Sequence, residues 1–122
     1  MIYQRLTTTA FIAVPPTGSQ LTVPSHYVEV GDNVRVTCTV DRVKPPLSDI
    51  YLEYGGFIIQ SINNSLLEEE TEETGVYMQS QTFTVAVLQH NNLICYGIKS
   101  YPNYTQYVLG ESYLEIGCES NS

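Results

Sequence analysis

The chain has no tryptophan, only two histidines and only three cysteines among 122 residues. It carries five basic residues against thirteen acidic ones, a formal charge of −8. Each shortage excludes something. Phosphate-rich partners are held by clustered Lys and Arg. Here Arg5, Arg35, Arg42, Lys44 and Lys99 are dispersed, and only Arg42 and Lys44 lie close together. Nucleic acid and an anionic membrane surface are therefore disfavoured as partners. The cysteines form no C-x-x-C pair, and His26 and His90 are remote from all of them, so no zinc pattern exists. No apolar run approaches the ~18 residues of a membrane span, so membrane attachment is expected only through other parts of a longer parent chain. The apolar stretch 10–14 is too short for a signal peptide and ends at Pro15-Pro16. The chain has no G-x-S-x-G, no H-E-x-x-H and no glycine-rich phosphate loop. It reads as a binding protein that does no catalysis and needs no cofactor or metal.

What is present is strand. Hydrophobic residues make up 43% of the chain, enough for the core of one domain. Val34-Arg35-Val36-Thr37-Cys38-Thr39-Val40 alternates apolar and polar residues, the signature of a half-buried strand, with Cys38 on the apolar side. Asn92-Leu93-Ile94-Cys95-Tyr96-Gly97-Ile98 is a second such strand, its cysteine 57 positions further on. Inward cysteines on two distant strands suggest a disulfide between stacked sheets. Closing a loop of that length stabilises a fold by roughly 4 kcal/mol in the chain-entropy model. Further strands are expected at 26–30, 50–54, 57–62, 82–87, 107–109 and 113–116, with an edge pairing near 76–78. Residues 41–49 and the acidic stretch 63–75 read as loops, the latter with at most one helical turn. With no helical period anywhere, the expectation is an all-β, two-sheet sandwich of about eight or nine strands. Residues 1–19 are assigned to an edge strand or linker, 20–117 to the domain and 118–122 to a tail.

Over roughly residues 24–117 the pattern resembles the immunoglobulin superfamily. Val28-Glu29-Val30-Gly31-Asp32-Asn33-Val34-Arg35-Val36-Thr37-Cys38 matches the run that leads into that family's first cysteine. Ile50-Tyr51-Leu52-Glu53-Tyr54-Gly55-Gly56 resembles its third-strand segment, and Phe83-x-Val85-x-Val87 its inward triplet before the second cysteine. Leu93-x-Cys95 stands where the family has Tyr-x-Cys, so the corner tyrosine is missing. With no tryptophan to cover the disulfide, Leu52 is expected to take that place. The resemblance implies an immunoglobulin-like sandwich of a divergent intermediate or constant-like type. It also implies an extracellular, cell-surface setting and a role in recognition or adhesion, with another copy of the same chain as one possible protein partner. The alternatives are a secreted or viral decoy for a different protein, and a spacer in a multi-domain ectodomain. Two sequons, at Asn63 and Asn103, agree with secretion and glycosylation.

The candidate contact residues follow from the alternation. If Leu93, Cys95 and Gly97 face inward, Ile94, Tyr96 and Ile98 face outward, an apolar row where a two-layer sandwich should be polar. Tyr51 is expected beside them, and Tyr101 and Tyr104 in the following loop offer broad contact area at low entropic cost. The acidic run Glu68-Glu69-Glu70-Thr71-Glu72-Glu73 lacks the spacing of a calcium loop and reads as a solvated, charge-repelling surface. Cys118 is left unpaired, which suggests a bond to a neighbouring domain or an end created by truncation.

Overall fold

A computed structural model describes residues 12–25, 27–61, 66–100 and 103–116. Among them are ten strands and no helix. In chain order these are β1 (Val14–Thr17), β2 (Gln20–Thr22), β3 (Tyr27–Val28), β4 (Asn33–Lys44) and β5 (Asp49–Tyr54), then β6 (Phe57–Ile59), β7 (Leu67–Glu70), β8 (Tyr77–Ala86), β9 (Asn91–Lys99) and β10 (Thr105–Ile116). They build two five-stranded sheets. One has the order β1-β4-β8-β7, with β2 also on β4, and the other β3-β10-β9-β5-β6. All pairings are antiparallel except that of the short β3, which runs parallel to the end of β10. The architecture is the expected immunoglobulin-like sandwich.

The core lies where the alternation put it. Val34, Val36, Cys38 and Val40 of β4 and Phe83 and Val85 of β8 face Ile50 and Leu52 of β5 and Leu93 and Cys95 of β9. A Cys38–Cys95 disulfide joins the sheets, with the Cα atoms 6.4 Å apart. Leu52 is fully buried and is the direct cross-strand partner of Cys95, the place expected of it. Below Phe83, the inward phase of β8 continues through Gln81 and Gln79. Both amides are buried and both are satisfied. Gln79 accepts from the Leu47 amide at 2.7 Å and donates to the Leu47 carbonyl at 3.0 Å, and Gln81 donates to the Ile50 carbonyl. Two side chains of one sheet thus stitch the start of β5 in the other.

Four local expectations are corrected. β4 continues to Lys44 instead of giving way to a loop at Asp41, because a bulge between Val40 and Val43 shifts the alternation and lets both bury. The acidic stretch is not all loop: Leu67–Glu70 is an edge strand on β8, and charged side chains suit an exposed edge. The Pro15-Pro16 break lies inside β1, whose partner is β4 alone, so missing amides at this sheet edge cost nothing. The pieces around 107–109 and 113–116 are one strand, β10, bulged between Val108 and Gly110.

The absent corner tyrosine has a substitute. Tyr54 pairs across the strands with Leu93, the position in question. Its hydroxyl donates to the Gln89 carbonyl at 2.5 Å and accepts from the Leu88 and Gln89 amides at 3.3 Å. The turn between β8 and β9 is therefore held from β5. Tyr54→Phe keeps the buried ring and removes only these bonds. It should cost about 1–2 kcal/mol by chemical denaturation, with faster amide exchange at Leu88 and Gln89.

Candidate functional site

The second sheet turns Ile94, Tyr96 and Ile98 outward, each half-buried, while Leu93, Cys95 and Gly97 are buried on its other side. Register decides what surrounds them. Tyr51 lies directly opposite Tyr96, and their rings stack with centroids 5.1 Å apart and planes inclined by 25°. Val108 of β10 lies on the other side of Tyr96 and is 56% exposed. The next row across the sheet is Ile58, Glu53, Ile94 and Glu111. The row on the other side is Asp49, Ile98 and Gln106. The result is a face with an aromatic pair at its centre, aliphatic side chains around it and carboxylates between them.

Tyr104 is 70% exposed and lies close enough to Tyr51 to act on its phenol electrostatically. Asn103, next to it, is exposed in the turn between β9 and β10, where the Thr105 hydroxyl donates to the Asn103 carbonyl at 3.2 Å. A glycan on Asn103 would stand at the border of the face. The candidates Tyr101, Asn63 and Cys118 lie outside the described residues.

Both central phenols hold their protons more tightly than usual. Loss of hydration raises Tyr51 above the ordinary value of 10.0, assisted by Tyr96, Tyr104, Glu53 and Asp49. Tyr96 is raised by the same loss, by the carboxylates of Glu53 and Glu111, and by its hydrogen bond to Glu53. A raised folded-state value leaves stability intact below 10.0 and erodes it as the unfolded phenol ionises first. In a spectrophotometric titration Tyr51 and Tyr96 should therefore ionise after free tyrosine. Tyr51→Phe and Tyr96→Phe should each remove part of that late component.

Three features escaped the reading of the sequence. Lys99 is 3% exposed, at the inward end of β9. Its ammonium donates to the carbonyls of Val14 and Lys44 and lies 5.8 Å from the Tyr107 ring centre. Burial lowers its pKa, and its work is to pin β1 and the end of β4. Phe57 and Ile58 on edge strand β6 and Leu88 in the neighbouring turn are 74%, 61% and 71% exposed, beside a groove of about 440 Å³. Three successive apolar residues, Phe57-Ile58-Ile59, were the available signal, since one face of a strand cannot hide them all. Finally, the acidic run is divided among separate protein partners. Glu68 accepts from Gln79, Glu70 from the Gly75 amide and Glu73 from Arg42.

No family model matches the chain, and no curated protein matches it at a significant level of similarity.

Proposed function

We propose that this chain is an extracellular immunoglobulin-like domain of a cell-surface protein and that it recognises another protein through the outer face of β10, β9 and β5. The observation that carries this reading is the stacked Tyr51–Tyr96 pair inside an aliphatic surround, on the side of the sheet that faces away from the core. Large, stiff amphipathic rings dominate protein interfaces because they bury area with few torsions to freeze. The inter-sheet disulfide supports an oxidising compartment, and Asn103 is open to glycosylation there. Membership of the immunoglobulin superfamily is proposed on the same footing, from the sandwich, the disulfide and the sequence pattern around it.

The test is an array of cell-surface and secreted ectodomains, this chain included, probed with the tetramerised domain made by a secreting cell. Saturable binding to one or a few proteins, lost in Tyr51→Ala/Tyr96→Ala, is the expected result. Binding to nothing, or binding that the double variant keeps, contradicts the reading and favours a spacer.

A further inference from the structure

Charge is distributed one-sidedly over the face. Glu53 and Glu111 flank Ile94 in register on the two adjacent strands, so their backbones stand roughly 10 Å apart, two strand spacings. Both carboxylates act electrostatically on the phenol of Tyr96, and Glu53 belongs to the strand beside it. Asp49 is the register partner of Ile98 in the next row. Among the described residues no basic side chain of this sheet's outer face offsets them. Among the described residues the cations are Arg35, Arg42 and Lys44 on β4 of the other sheet, and Lys99, which is buried. Arg42 is already paired with Glu73.

We infer that this face takes a different protein that inserts an arginine or lysine, set among apolar residues, over Ile94 and the Tyr51–Tyr96 pair. The inference rests on the recognition reading above and names the chemistry of the partner. Stacking covers only one face of each ring, and a ring's other face attracts a guanidinium or ammonium. It also finds a carboxylate on each side, the arrangement that gives charge-assisted hydrogen bonds. The aliphatic rim supplies the apolar area that excludes water around it. A second copy of the chain is the wrong occupant, because two such faces brought together would set carboxylates against carboxylates, with no cation from the described residues between them.

The experiment is a selection of a random dodecapeptide display library on the intact domain. Clones that also bind Tyr51→Ala/Tyr96→Ala, which keeps the net charge, are removed. If that variant does not fold, Ile94→Ser/Ile98→Ser serves as the counter-selector. The surviving, face-dependent clones should be enriched in Arg and Lys beside apolar residues. Their binding should weaken about tenfold or more in Glu53→Gln/Glu111→Gln. Sedimentation of the unmodified domain should show a monomer. Face-dependent clones with no basic enrichment, or clones indifferent to Glu53→Gln/Glu111→Gln, would overturn the inference while leaving the recognition face standing. Self-association abolished by Tyr51→Ala/Tyr96→Ala would overturn it in favour of a second copy. An absence of face-dependent clones would overturn both.

Discussion

Replacing Cys38 and Cys95 together by alanine should lower the stability of the domain by about 4 kcal/mol. The bond closes a loop of 57 positions, so its loss returns a large conformational freedom to the unfolded chain and changes the native contacts little. Both sulfurs are fully buried among Val36, Leu52 and Leu93. Truncation to alanine therefore adds small voids, where serine would add unsatisfied hydroxyls. Chemical denaturation of the purified variant under conditions that keep the remaining thiol reduced measures the effect. A loss below about 1 kcal/mol would show that the cross-link constrains an unfolded state already compact.

Leu52→Ala should cost about 2–5 kcal/mol, for a reason particular to this chain. Sandwiches of this kind place a tryptophan against the inter-sheet disulfide; here there is none, and Leu52 stands opposite Cys95 with no exposure. A leucine leaves little spare volume to collapse into once it is shortened. Because Leu52 and the disulfide are neighbours, the combined variant should lose less than the two single losses added together, a coupling that a double-mutant cycle measures directly. Strict additivity would mean that the pair does not act as a packing unit.

Cys38, Cys95, Leu52 and the outward row of Ile94, Tyr96 and Ile98 were all legible because strand alternation is a local rule, and the segments around these residues obey it. The failures occur where that rule is broken or where information is non-local. The bulge after Val40 hid the second half of β4, and the one after Val108 split β10 into two apparent pieces. β7 was missed because all four of its residues are exposed, so it has no inward phase to detect. Alternation alone puts Tyr51 on the outward face, but its stacking on Tyr96 depends on the register between β5 and β9, which no local pattern encodes. The same holds for Glu53 and Glu111, which are far apart in sequence and meet around Ile94 only once three strands are aligned. Lys99 looked like one more dispersed cation. Only the return of β1 and β4 over the end of β9 makes it a buried donor.

The most direct test of recognition through the face of β10, β9 and β5 is staining of a broad panel of living cells with the fluorescent tetramer beside two variants. Tyr51→Ala/Tyr96→Ala alters the proposed contact face, and Arg35→Ala/Thr84→Ala alters two paired positions on the opposite sheet. Recognition through that face predicts that a subset of cells binds the unmodified domain and the second variant alike, and that the first variant leaves them unstained. Staining abolished by the second variant and untouched by the first would place recognition on the other sheet and contradict it.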